Sequence, residues 1–185
     1  MRYTSKPAGL GFRVSEATTV QESVLDMLMD GVGVEFTETQ VREVLQSPRS
    51  SVQRALKELA GQGLVQSRAV GRTRLYSLDP SDPLVRHLKI ARAISRARQV
   101  LSPVADLVDL AVLFGSASRG ADTAGSDLDL LVVSSKPDAV LDELVQYEWL
   151  QPVVLTSSEH MQALAEGGTF AAAISEGIKV AGCRG

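Results

Sequence analysis

The spacing of apolar residues divides the chain into a helical first part and a second part in which strands alternate with helices. Apolar positions three and four residues apart predict three helices, and two alternating runs follow them. The helices run from a cap at Thr18 or Thr19 to Asp30, from a cap at Thr37, and from Ser47-Pro48 to about Ala60. The runs 64–68 and 73–78, with Gly71 between them, predict a β-hairpin.

A segment with two prolines, Asp79–Pro83, ends the hairpin and precedes a long helix from Leu84 to about Leu101. This helix carries an apolar stripe that we expect to pack inward, at Leu84, Leu88, Ala91, Ile94 and Ser95. A second stripe is basic and consists of Arg86, Lys89, Arg92 and Arg96. The basic stripe fits a solvated connector face as well as it fits a contact with nucleic-acid backbone or bound triphosphate.

The second part centres on residues 108–133, where two apolar runs are separated by a glycine-serine turn and a polar loop. The first run ends at Gly115-Ser116, and the second carries Asp127 and Asp129 at its start. Because side chains alternate along a strand, the two carboxylates point to the same face. Neighbouring carboxylates repel each other unless a cation lies between them, and Mg²⁺ accepts one or two carboxylates together with phosphate oxygens.

The glycine-serine turn supplies groups that suit a phosphate. Gly115 allows a close approach of the backbone, and Ser116 offers a hydroxyl and N–H groups to an anion. Turn and carboxylates together indicate a site for a metal-bound nucleoside triphosphate. A β-hairpin with an acidic edge is the alternative interpretation.

Beyond this stretch the pattern predicts a helix, a strand, two helices and a short final strand. The first helix follows Lys136-Pro137, with Leu141, Leu144 and Val145 facing inward. The strand spans 149–155, and its Trp149 is expected to pack in the core. The remaining elements are a helix capped by Ser157 or Ser158, a helix over 170–176 and a strand over 177–180.

The composition is that of an ordinary globular protein, but the charges are segregated. The 185 residues are 44% hydrophobic and 22% charged, with a net charge of −3. Six basic and two acidic residues lie within 47–80, and five basic residues without an acidic one lie within 86–98. This asymmetry predicts a basic binding face joined to an acidic metal-binding domain. A single cysteine, Cys183, and the lack of a signal peptide or a long apolar span favour a cytoplasmic protein without a membrane segment.

The first part resembles the winged helix-turn-helix regulators of bacteria, through SSVQRALKEL at 50–59, GLV at 63–65 and GRTRLY at 71–76. In that family the third helix enters the major groove and the wing contacts the backbone or minor groove, which implies binding to double-stranded DNA. If Val52, Ala55, Leu56 and Leu59 face the core, the free side of the helix and the wing present residues suited to base edges and phosphates. These are Arg49, Ser50, Gln53, Arg54, Lys57, Arg68, Arg72 and Arg74. A merely solvated surface or a protein-interaction module is the alternative.

The second part resembles the DNA polymerase β-like nucleotidyltransferases, particularly the minimal ones, through Gly115-Ser116, ten further residues and DLDL at 127–130. The resemblance implies a small mixed sheet flanked by helices, with phosphates held by Gly115, Ser116 and Arg119. It implies Mg²⁺ or Mn²⁺ at Asp127 and Asp129, which are the catalytic residues if the protein is active. Active members carry a third carboxylate on the next strand; here Gln151 stands near that position, and a neutral amide cannot act as a base.

Some prokaryotic proteins fuse these two parts, and the chain resembles them from about Thr18 onwards. The expected fold is a two-domain α+β and α/β chain. It has an arm (1–17), a winged helix-turn-helix domain (18–80), a linker with a connecting helix (81–103) and a nucleotidyltransferase-like domain (104–185). The expected function is a homodimeric DNA-binding transcriptional regulator whose second domain binds Mg–nucleoside triphosphate and can serve as a sensor. The alternatives are an active enzyme that transfers a nucleoside monophosphate to a protein, RNA or small molecule, and a scaffold with neither activity.

Overall fold

The computed structural model describes residues 19–123 and 125–182, so the predicted arm at 1–17 and Cys183 lie outside the described part of the chain. The chain divides between Arg86 and His87 into two compact units. Among the described residues, no helix is both long enough and apolar enough to span a membrane.

The first unit contains three helices and a three-stranded antiparallel sheet. The helices are α1 (Val20–Asp30), α2 (Glu38–Leu45) and α3 (Arg49–Gly61). The strands are β1 (Phe36–Thr37), β2 (Gln66–Val70) and β3 (Thr73–Ser77), in the order β1-β3-β2. The core contains Val24, Leu28 and Val41, together with the four α3 residues that the sequence also predicts to be buried, Val52, Ala55, Leu56 and Leu59.

The predicted caps of the first two helices are confirmed, because Thr19 with Glu22 and Thr37 with Gln40 each form a capping box. Three details of this unit differ from the sequence prediction. Pro48 occupies the cap of α3 rather than its first helical position. Val44, which lies three residues after Val41 and so belongs to the predicted apolar stripe of α2, is 37% exposed. The hairpin turn is the two residues Gly71-Arg72, because Val70 already pairs with Thr73.

The second unit is built on a four-stranded mixed sheet with the order β6-β5-β4-β7. The strands are β4 (Leu110–Leu113), β5 (Leu128–Val133), β6 (Leu150–Leu155) and β7 (Ile178–Gly182), and only β5 and β6 run parallel. The helices are α4 (Pro83–Leu101, which begins just before the division), α5 (Gly115–Ser118), α6 (Pro137–Leu144), α7 (Ser157–Glu166) and α8 (Gly168–Ser175). A short 3-10 helix, Ser102–Leu107, joins α4 to the sheet.

The two faces of this sheet are covered differently. Leu128, Leu130 and Val132 of β5 belong to a large buried cluster that includes Ala93 and Ala97 of α4. The alternate residue Leu131 belongs to a smaller cluster with Val112 of β4 and Ile174 of α8. Strand alternation therefore places Asp129 on the side of the smaller cluster.

Several predicted helix faces in this unit are wrong. On α4, Leu84 is 53% exposed and Ala91 is exposed, whereas Val85, Lys89, Ala93 and Ala97 are buried. On α6, Leu144 is buried as predicted, but Val140 is the other buried residue and Val145 is 60% exposed. The cap of α7 is Thr156, not Ser157 or Ser158. The errors on α4 and α6 share one cause, because stripes one residue apart on a helix have similar apolar content and only the partner surface chooses between them.

Candidate nucleotide and metal site

The two aspartates lie at the beginning of β5. Asp127 directly precedes the strand, and Leu128 donates its backbone N–H to the Trp149 carbonyl (3.0 Å), which fixes the start of β5 beside β6. Asp127 and Asp129 are two residues apart on an extended backbone, so their side chains share a face. The predicted juxtaposition of the carboxylates therefore follows from the strand itself.

Gly115 is packed against one of these carboxylates. The backbone N–H of Phe114 donates to the Asp129 carbonyl (3.1 Å), which brings the end of β4 next to β5. Gly115 has a φ of +70°, and a Cβ built on it would lie 1.9 Å from Asp129 Oδ2. The position accepts only glycine, for reasons of both backbone conformation and space.

Ser116 is the second residue of α5, a helix of only four residues. The backbone carbonyl of Ser116 accepts the N–H of Ala121 (3.0 Å), and Ser118 Oγ donates to the Gly115 carbonyl (2.9 Å). These bonds shape the turn and leave the first N–H groups of α5 directed towards its N-terminal side. So short a helix has little macrodipole, so any hold on a phosphate comes from single N–H and hydroxyl groups.

The electrostatics favour a cation beside Asp129. Burial raises the pKa of its carboxyl, the negative charge of Asp127 raises it further, and the positive charge of Arg119 opposes both. Arg119, at the end of α5, is therefore close enough to act on the carboxylate pair. A divalent cation would relieve the same repulsion that raises this pKa.

Gln151 lies beside the two carboxylates. It pairs in register with Asp129 on the parallel neighbour strand, and its Nε2 donates to Asp127 Oδ2 (3.4 Å). That this amide replaces a third carboxylate stays a prediction. Glu159, the first carboxylate after β6, caps α7 instead: hydrogen bonds from the backbone and hydroxyl of Thr156 lower the pKa of its carboxyl.

The donor set suits one magnesium ion that shares its coordination with phosphate oxygens. Asp127 and Asp129 would hold the ion, which would neutralise phosphate charge. Within the described residues, no three or more His, Cys, Asp or Glu side chains form a group that could hold a metal. The site therefore depends on a ligand to complete the coordination.

Two features around the site were not identified from the sequence. Phe114, opposite Asp129, makes an edge-to-face contact with Phe170 of α8, with ring centroids 5.9 Å apart. Lys89 of α4 contacts Asp122 in the loop between α5 and β5. Both contacts join residues remote in sequence, and no local spacing indicates them.

The predicted DNA-contacting residues are all exposed, on α3 (Arg49, Ser50, Gln53, Arg54 and Lys57) and on the hairpin (Arg68, Arg72 and Arg74). They are not equally available for contact with DNA, because two of the arginines already pair with glutamates. Arg49 Nε pairs with Glu38 (2.8 Å), and Arg68 makes two contacts of 2.5 Å with Glu35. Arg68 and Arg74 also lie on opposite faces of the hairpin, because Arg68 pairs across from Leu75 and Arg74 across from Ala69.

Residues 92–157 match the family model for a nucleotidyltransferase domain. The chain carries a nucleotidyltransferase-like domain. No protein of curated function matches the chain. Two solved structures are similar in part, each with a TM-score of 0.36. A nucleotidyltransferase candidate from Sulfolobus solfataricus is 16% identical and covers 51% of this chain and 84% of its own. A cysteine-to-serine variant of Lactococcus lactis ZitR, in complex with DNA, is 20% identical, and the match covers 54% of this chain and 67% of the ZitR chain.

The match to the nucleotidyltransferase-like domain spans Gly115, both aspartates and Gln151. It begins at Arg92, inside α4, and therefore leaves out Lys89.

Proposed function

We propose that the protein is a DNA-binding transcriptional regulator whose nucleotidyltransferase-like domain binds Mg²⁺–nucleoside triphosphate without transferring the nucleotide. The observation that carries this proposal is the pairing of Gln151 with Asp129. The strand position that would complete a three-carboxylate site holds an amide, which donates a hydrogen bond to Asp127. Metal and phosphate binding need only the two carboxylates and the turn, whereas activation of an attacking hydroxyl needs a base.

The DNA-binding half of the proposal rests on the first unit. Its third helix buries Val52, Leu56 and Leu59 and exposes Gln53, Arg54 and Lys57 on the opposite side. The exposed Arg and Gln face of this helix and the basic hairpin that follows it support the proposed winged helix-turn-helix function. Arg and Gln side chains make bidentate contacts with guanine and adenine in the major groove. A homodimer would read two half-sites about 34–36 Å apart.

DNA binding is tested with a fluorescent random-sequence duplex, titrated at several salt concentrations. The double variant Arg54→Ala, Arg72→Ala should bind more weakly, and the slope of log affinity against log salt should fall by about 2 if both arginines contact phosphates. The matched control is Lys136→Ala, Lys179→Ala, which removes two exposed charges from the other unit. Equal loss in both variants, or no binding by the natural chain at low salt, would refute the DNA-binding half.

An active nucleotidyltransferase is the second candidate, because the family match retains the glycine-serine turn and both aspartates. Incubation with labelled nucleoside triphosphates, Mg²⁺ or Mn²⁺ and protein, RNA or small-molecule acceptors distinguishes the two functions. The regulator should bind nucleotide and label nothing. Label that is transferred by the natural chain, and lost in Asp129→Asn, would establish the enzyme instead.

A further inference from the structure

A buried lysine contacts the loop that joins the glycine-serine turn to the aspartates. Lys89 is 8% exposed. Its ammonium group donates to the backbone carbonyl of Asp122 and lies 3.3 Å from Asp122 Oδ1. Lysine is almost never this buried unless its charge is paired. Here the partner is a polar loop, so the contact fixes the loop to α4 rather than filling the core.

Short-range bonds shape both ends of the connecting loop (residues 119–123 and 125–127). Ala121 donates to the Ser116 carbonyl (3.0 Å), and Thr123 and Ser126 bond each other through backbone and side chain (2.9 Å). The Lys89 contact comes from another element, 33 residues away in sequence. It therefore acts on the middle of the loop, between the bonds that shape its two ends.

The lysine does not belong to the carboxylate site itself. Helix α4 packs, through Ala93 and Ala97, on the sheet face opposite to Asp129. Any effect of Lys89 on the site must pass through Asp122 and the loop. Outer-shell groups that orient metal ligands commonly change metal affinity by about 10–100-fold. Lys89 contacts the loop rather than a ligand, so we expect an effect at the low end of that range.

We propose that Lys89 is a positioning residue of the nucleotide site. By holding Asp122 it sets the path of the connecting loop, and with it the placement of Ser116 relative to Asp127. This inference rests on the proposed nucleotide binding.

The test compares the full-length chain with Lys89→Met, which keeps the length of the side chain and removes its charge. The readouts are calorimetric affinity for magnesium with inorganic triphosphate, and amide hydrogen exchange of residues 121–126 without ligand. Lys89→Met should weaken the affinity by about tenfold and speed exchange in the loop. Lys89→Arg should recover part of both.

The matched control is Arg98→Met on the same helix. Arg98 Nε also donates to a backbone carbonyl, that of Val180 in β7, at 3.2 Å. This control should keep the natural affinity and loop exchange, because β7 carries none of the site residues. An equal loss of affinity in both variants would overturn the proposal, since it would indicate general loosening of the domain.

A second variant covers the case in which Lys89→Met does not fold. Asp122→Ala removes the partly exposed carboxylate and leaves its backbone carbonyl, so affinity should fall by about threefold, as for a partly exposed ion pair. If Lys89→Met folds and its affinity is unchanged, the role of Lys89 is overturned and the nucleotide function is not. If Lys89→Met does not fold, unchanged affinity in Asp122→Ala has the same meaning. Absence of binding by the natural chain overturns the proposed nucleotide function and this role together.

Discussion

At the scale of single residues, Gly115 has the most restricted position in the candidate site. It combines a positive φ with a carboxylate oxygen where a side chain would begin. Gly125 also has a positive φ, +84°, but a Cβ there would meet nothing within 4 Å. Substitution at Gly125 therefore tests backbone conformation alone, whereas substitution at Gly115 tests backbone conformation together with steric overlap.

We expect Gly115→Ala to abolish binding of Mg–triphosphate, because its Cβ displaces the Asp129 carboxylate. Gly125→Ala should retain binding. Gly125→Ala should lose about 1–2 kcal/mol of unfolding free energy, the cost of a left-handed conformation for an L-residue. Gly115→Ala should lose more, because its Cβ also overlaps the Asp129 carboxylate. Calorimetric titration and urea denaturation measure the two effects. Retained binding in Gly115→Ala would contradict the placement of the ligand beside Asp129.

The pKa of Asp129 gives a second prediction at this scale. Burial, and then the charge of Asp127, raise this pKa above that of the unfolded chain, about 3.9. Between the unfolded and the folded pKa, the folded state binds more protons. The free energy of unfolding therefore falls as the pH rises through this window.

Asp129→Asn removes the cost of ionising this carboxyl in the folded state, so the metal-free variant should be more stable than the natural chain at pH 7. The difference should disappear below about pH 4, where both side chains are neutral. Urea midpoints in the presence of a chelator, measured from pH 3.5 to 7, check this. Asp106→Asn, an exposed substitution in the same unit, is the control. If the variant is less stable than the natural chain at neutral pH, the surroundings of Asp129 stabilise its charged form rather than destabilise it.

At the scale of secondary-structure elements, glutamates limit the basic surface of the first unit. Glu35 makes two contacts with Arg68, and this hydrogen-bonded arginine lowers the pKa of the Glu35 carboxyl. A DNA phosphate would have to replace that carboxylate. Under the proposed function, Glu35→Gln should therefore bind DNA more tightly at low salt, with a salt slope steeper by about 1.

Salt-dependent titration of the same duplex checks the effect of Glu35→Gln. The control, Glu43→Gln, removes an exposed charge from α2 and should change the affinity less. If the two variants bind alike, the hairpin arginine does not contact DNA and only the change in net charge matters.

A strand and a helix show how far the sequence predicts which side chains are buried. The register of Gln151 was predictable because alternation fixes which residues face the core, and buried Leu150 pairs with buried Leu128. The inward face of α4 was not predictable, because Leu84 is more apolar than Lys89. The structure buries Lys89 nevertheless, since Asp122 offers it a partner and Ala93 and Ala97 allow close packing on the sheet.

At the scale of the whole molecule, the single tryptophan reports on one unit. Trp149 lies in the second unit, where Arg96 stacks 4.0 Å from its ring centroid, and the chain has no other tryptophan. Tryptophan fluorescence therefore follows unfolding of the nucleotidyltransferase-like domain, whereas far-ultraviolet circular dichroism follows helices in both units. The two signals coincide only if the units unfold together.

We expect Mg–triphosphate to raise the midpoint of the fluorescence transition more than that of the transition due to the first unit. Ligand at 100 times its dissociation constant adds about 2.7 kcal/mol to the domain that binds it, a shift on the order of 10 °C for a domain of this size. Asp129→Asn, which should not bind, is the control and should show no shift. Equal shifts in both transitions of the natural chain would contradict separate unfolding. They would mean instead that occupancy of the carboxylate site also stabilises the first unit, which is energetic coupling between the two units.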